Sequence, residues 1–211
     1  GPATVVINPG NADSGYAEYV ALPTITEGAL TTQDAILTQA GVLSGFITSD
    51  GTPIHISFNK QTGVYSGVPQ GVAEGQFRDA LEFNITTGAF TRKVVAVVRA
   101  IKINPDGSMA LEIQPTDPAG NAIGNIKYDF VTSRGDVWHI SVLRKGGKTV
   151  YSIVPVELKQ GVTEKAYVFD IAKGTWDKTK MVALIKPIFI KADGSITLEI
   201  QPTDFKGTPV G

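Results

Sequence analysis

Apolar and polar residues alternate along most of this chain with a period of two, the spacing of a strand that buries one face. Ile54, Ile56 and Phe58 fall on one side of an extended segment, with His55 and Ser57 on the other. Trp138, Ile140 and Val142 repeat that order, with His139 and Ser141 opposite. Near the two ends of the pattern, Met109, Leu111 and Ile113 match Ile196, Leu198 and Ile200, with Glu112 and Gln114, or Glu199 and Gln201, on the other face. Such alternation predicts antiparallel sheets with one core face and one solvated face. Asp106-Gly107 and Asp193-Gly194 stand between alternating runs, a hairpin signal.

The agreement between distant segments reflects an internal repeat. SMALEIQPTDPAG at 108–120 recurs as SITLEIQPTDFKG at 195–207. Phe46-Ile47 falls on Phe130-Val131, His55-Ile56-Ser57 on His139-Ile140-Ser141, Tyr65 on Tyr151, and Phe83 with Phe90 on Phe169 with Trp176. The offset grows from 84 to 87, which two small loop insertions explain. The chain therefore divides into an N-terminal arm (1–41) and two copies of one unit (42–124 and 125–211), each long enough to own a core.

Each unit predicts six or seven strands, near 43–49, 53–58, 64–68, 78–85, 93–103 and 108–114 in the first. The expected fold is all-β: a tandem duplication of an antiparallel β-sandwich or small barrel. Val95, Val97, Arg99, Ile101 and Ile103 form one alternating set, matched by Val182, Leu184, Lys186, Ile188 and Ile190. Both sets carry a cation at the centre. A bulge, a buried stem with an escaping head, or a ligand-facing cation would account for it. In the arm, 3–7 and 16–22 read as strands around Asn8-Pro9-Gly10. Residues 31–40 read as a short helix, with Thr31 as N-cap and Gly41 as the terminating glycine.

Composition narrows the chemistry. Of 211 residues 42% are hydrophobic and 18% charged, a globular balance. With 19 basic and 20 acidic residues and no basic run beyond two, a phosphate-tracking surface is not expected, so no nucleic-acid partner is assigned. The absence of cysteine excludes disulfides, thiolate nucleophiles and cysteine-ligated metals. No apolar run reaches the ~20 residues of a membrane span, so no membrane insertion is expected. No signal-peptide pattern opens the sequence. The opening Gly1-Pro2 reads as a scar from a cleaved tag, and Gly211, matching Gly124, as a cut at a repeat boundary beyond which further copies would follow.

Candidate sites are few. His55 and Ser57 share a face, as do His139 and Ser141. Residues two apart on a strand sit ~6.6 Å apart, too far for a direct Ser–His dyad, and a polar face with cross-strand bonds is the expectation. Asp117 to Asn121 could offer oxygen ligands to calcium, but the spacing lacks the terminal Glu of such loops, and Lys206 enters the second copy of the loop. A turn in which Asp folds onto its own backbone is the simpler reading. Phe90, Trp176 and Trp138 sit at packed positions, whereas Tyr16, Tyr19 and Tyr128 are less constrained, which leaves a glycan platform open.

No catalytic, cofactor-binding or metal-ligating residue is assigned, and no cofactor is expected. The sequence points to a non-enzymatic structural protein, an exterior virion component of the phage decoration, fibre or baseplate type. Its arm would dock on a protein partner, including a second copy. A fragment of a bacterial adhesin or surface-layer protein, binding glycan or protein, is the alternative. Either implies an extracellular or virion-surface location.

Overall fold

The computed structural model describes residues 3–7, 24–26, 43–47, 53–59, 62–134, 136–145, 148–192 and 196–210. These form fourteen strands and no helix: β1 (Ala3–Ile7), β2 (Thr24–Thr26), β3 (Leu43–Ile47), β4 (Pro53–Asn59), β5 (Val64–Gly67), β6 (Arg78–Asn84), β7 (Ala89–Ile103), β8 (Met109–Pro115), β9 (Lys127–Val131), β10 (Val137–Lys145), β11 (Lys148–Ile153), β12 (Glu164–Asp170), β13 (Thr175–Ile190) and β14 (Ile196–Pro202). The expected strand at 16–22, the turn at 8–10 and the helix at 31–40 lie outside the described residues.

From β3 to β14 the strands form one antiparallel up-and-down meander in an open sheet, each pairing with its neighbours in sequence. Strand limits and irregularities repeat at the offsets of the sequence repeat. β7 and β8 change register between Ala100 and Lys102, and β13 and β14 do so between Pro187 and Phe189. The bulged residues Ile101 and Ile188 are equivalent. A proline within a central strand is explained by the opposite edge, where β6 and β12 pair only as far as Val98 and Ile185 and a loop lies alongside the next residues. The Ala100 N–H leaves the ladder and donates to the Ala73 carbonyl, so its equivalent Pro187 forfeits no ladder bond.

The bulge belongs to a different face from the one the alternation suggested. In β7 the residues facing the core are Ala96, Val98 and Ala100, and in β13 Met181, Ala183, Ile185 and Pro187. Val97, Arg99 and Ile101 occupy the other side, and Ile188 is exposed. The small alanines do not announce the core face in the sequence, because neighbouring valines and isoleucines mask their phase. Arg99 stands opposite Glu112 and forms an ion pair with it, and Lys186 holds the equivalent register position opposite Glu199.

The repeated LEIQPTD segment now has a reason at each position. Leu111 and Ile113, like Leu198, are core residues. Gln114 Nε2 donates to the Pro115 carbonyl at 2.9 Å, and Gln201 Nε2 to that of Pro202 at the same distance. The same amides reach the returning loop at Gly124 and Val210. Thr116 and Thr203 are buried, and their N–H groups bond Val95 and Val182. Asp117 and Asp204 then fold back on their own turns. Seven residues thus supply a core strand, its lock to the exit loop and the exit turn.

Of the apolar clusters among the described residues, two are repeat equivalents and a third is not. Val68, Ala80, Ala96, Val98 and Leu111 form one, and Val154, Ala166, Ala183, Ile185 and Leu198 the other. The third lies on the opposite face of the sheet, with Ala110, Phe130, Ile140, Ile153 and Phe169 at its centre. At β8 and β9 both faces are therefore covered: Ala110 and Phe130 on one, Leu111 and Val131 on the other. The expectation of a solvated second face fails here because adjacent residues in these strands are both apolar. Trp138 and Trp176 close this cluster edge to face at 5.8 Å, and Phe130 meets Trp176 at 5.4 Å. The sheet curls over the cluster far enough for Asn104 Nδ2 to donate to the Gly174 carbonyl at 2.9 Å.

Gly174 and its equivalent Gly88 both hold left-handed backbone, with φ of 69° and 70°. A Cβ at Gly174 would meet Lys102 Cγ at 2.7 Å, whereas one at Gly88 would meet nothing within 4 Å. Gly88→Ala should therefore cost about 1–2 kcal/mol for backbone strain alone, and Gly174→Ala a further ~1–3 kcal/mol for overpacking. Urea unfolding of the two variants checks the difference.

Candidate assembly interface

A sheet edge exposes a row of unpaired N–H and C=O groups that any strand can extend. Within this chain, the junction between the two units is such an extension. β8 closes the first unit, β9 opens the second, and they pair over five residues: Met109 with Val131, Ala110 with Phe130, Leu111 with Asp129, Glu112 with Tyr128 and Ile113 with Lys127.

β14 is the repeat equivalent of β8, and its far edge would be left without an opening strand. The arm supplies one. β1 pairs antiparallel with β14, Ile7 opposite Ile196, Val6 opposite Thr197, Val5 opposite Leu198, Thr4 opposite Glu199 and Ala3 opposite Ile200. Shifted by the repeat offset, this register coincides with that of β9 on β8. The arm segment ATVVI therefore stands where an opening strand such as LSGFI of β3 or KYDFV of β9 would stand. Both Ile7 and Thr4 have close matches in Ile47 and Ser44.

The other end is closed differently. β2 lies parallel to β3, pairing Thr24 with Gly45, Ile25 with Phe46 and Thr26 with Ile47. Three residues of parallel pairing make a weaker contact than the five antiparallel pairs of β1. One arm thus covers both outer strands of the meander. Sequence reasoning identified the first arm strand but missed its partner and missed β2. The clue to the partner was the likeness of ATVVI to the opening strands of the units.

The residues singled out for chemistry are placed as follows. His139 lies opposite Asp129 in the β9–β10 register, Nδ1 3.6 Å from Oδ1, with Asp129 wholly buried. Ser141 is one step beyond and faces Ser152 of β11 rather than the imidazole. His55 and Ser57 lie on β4, where their side chains are outside the described residues, as are Tyr16 and Tyr19. Asp117 Oδ1 accepts N–H bonds from Ala119 (3.0 Å) and Asn121 (2.9 Å), and Asp204 Oδ1 accepts those of Lys206 and Thr208, each at 2.9 Å. The Asn121 hydrogen bonds hold the Asp117 carboxyl below its ordinary range. Both loops are self-bonded turns. Phe90 packs edge to face on Phe83, and Trp138 and Trp176 on each other.

A polar row crosses the aromatic face at the junction. Arg99 forms a hydrogen-bonded ion pair with Glu112, and Phe77 lies under its guanidinium at 4.9 Å. Tyr128 stands next along the row, its ring edge to face with Tyr151 at 5.2 Å. Burial, its hydrogen bond with Tyr151, and the charges of Tyr151 and Glu112 push the Tyr128 hydroxyl up to about 12. These groups brace the strands on either side of the junction.

No family model matches the chain, and neither the curated proteins nor the solved structures compared with it give a match.

Two outcomes are expected from the polar row. Glu112→Gln should cost about 1–3 kcal/mol, since it strips a half-buried guanidinium of its anion. Glu82→Gln, at an exposed ion pair with Lys93, should stay within ~0.5 kcal/mol. The raised Tyr128 value favours the neutral hydroxyl in the folded state. Its contribution is whole below the unfolded tyrosine value of about 10 and is lost as pH rises toward 12. The urea midpoint should fall across that window, and Tyr128→Phe should flatten the fall.

Proposed function

We propose that this chain is a non-enzymatic structural protein that assembles through the edges of tandem β-modules, each a sandwich or small barrel, and that it serves as an exterior component of a virion. The observation that carries the reading is the arm. Its β1 seats on β14 in the register that β9 uses on β8, so the N-terminal segment has the form of a strand that completes a neighbouring sheet. Other features support it. Asp117 and Glu112 are taken up by their own turn and by an ion pair, the tryptophans by core packing, and the chain holds without any disulfide. Protein surfaces, including those of further copies, are the partners this architecture suits.

The test is whether the arm strand docks in trans. Prolines at Val5 and Val6 in the full chain should loosen β1, because one of the two must remove an N–H directed at β14. A fluorescent peptide of residues 1–10 should then bind this variant saturably at one site, by anisotropy, and leave the unaltered chain alone. A folded variant that takes up no peptide would remove the arm as a docking element and the assembly reading with it.

A further inference from the structure

We infer that the junction between the two units is the template for a joint between copies, and that β1 and β2 hold that joint closed. This rests on the assembly reading and names its partner, a second copy of the chain. When both arm strands leave, β14 of one copy takes β3 of the next.

The inference stands on two independent observations. The first is strand equivalence. β14 corresponds to β8 and β3 to β9, and β8 pairs with β9 inside the chain. The two strands under the arm are therefore the two halves of a pairing the chain already makes once. In the template register Ile196 would meet Ile47, Thr197 Phe46, Leu198 Gly45, Glu199 Ser44 and Ile200 Leu43. β1 now occupies that register on β14, and β2 covers the matching residues Gly45 to Ile47 on β3.

The second observation lies away from the strands' edges. Inside the chain, the end of β7 packs on the β12–β13 turn, with Lys102 against Gly174 and Asn104 bonded to its carbonyl. The repeat equivalents of these contacts sit at opposite ends of the molecule. Phe189, at the position of Lys102, is 51% exposed, and its bulged neighbour Ile188 is 44% exposed. Gly88, at the position of Gly174, has open space where a Cβ would point. Both halves of the secondary contact are thus open in the single chain. A joint built on the template would bring the Gly88 turn of one copy onto Phe189 of the other, burying an exposed aromatic side chain.

Two strands of one arm are suited to this control. An edge strand of three to five residues is among the least stable parts of a sheet and opens well below the global unfolding energy. While either cap stays in place the corresponding edge is occupied, so a copy missing one cap can end a chain of copies but not extend it.

The test uses the full chain. Ser44→Cys and Glu199→Cys place a cysteine pair, in a protein that has none of its own, at positions the template pairs. Ser44 lies on β3 and Glu199 on β14, at opposite ends of the meander, so a disulfide between them joins copies. With prolines added at Val5, Val6, Thr24 and Ile25 to release both caps, oxidation should give a ladder of covalent dimers, trimers and longer species. Light scattering should show a mass that rises with concentration. The residue 1–10 peptide should shorten the ladder. In the background without prolines the same ladder should form more slowly, trapped from transient opening. This second measurement decides the matter if the proline variant fails to fold. Folded variants that stay monomeric in both backgrounds would overturn the inference. So would chains of copies that link only through a Thr4→Cys and Glu199→Cys pair, which reports exchange of β1 instead. If the peptide binds the β1-loosened chain but copies never link at 44 and 199, the assembly reading survives and this joint does not.

Discussion

The ladder between β8 and β9 is the contact on which the rest of this molecule depends. It turns two repeats into one sheet, and it forces both faces of those strands under cover. Leu111 and Val131 complete the first unit's cluster on one side while Ala110 and Phe130 open the aromatic cluster on the other. With no disulfide available, the junction must be held by burial and by a few well-partnered polar groups. The Arg99–Glu112 pair under Phe77 and the Tyr128–Tyr151 contact sit in this row.

A repeated unit that pairs head to tail always leaves one unmatched edge at each end. This chain resolves both with a single segment, imitating an opening strand for β14 and laying a short parallel strand on β3. The two solutions differ in strength. Five antiparallel pairs hold one cap and three parallel pairs the other, so the ends of the molecule are not equivalent.

Much of the architecture was legible in the sequence. Period-two alternation located the described strands from β3 onward, and the 84-to-87 offset carried through to register shifts as well as strand limits. Three features were not legible, for physical reasons. Alternation sees side-chain hydrophobicity, so Ala96, Val98 and Ala100 were masked by Val97 and Ile101, while Val95, in phase with the other side, is itself a core residue. It also treats every strand as having one wet side, which fails where Phe130 and Val131 are neighbours. Finally, pairing across nearly the whole sequence leaves only a likeness between segments, here ATVVI and the opening strands. The candidate histidine showed a similar limit. His139 was visible, but Asp129 was not singled out, because the first unit has Gly45 at that position.

The distance in sequence between β1 and its partner also sets an order of events in folding. The meander closes through successive short connections, which carry little loop-closure entropy and form early. Ala3 must find Ile200 across the rest of the chain, so β1 docks after the strand it covers has already been built. Loop-closure entropy therefore favours an order in which β14 is formed before it is covered. The fate of that edge is a race between a tethered strand and the surrounding concentration of other chains. In that order, the local concentration of other chains, and not only equilibrium stability, bears on how many molecules reach the closed form.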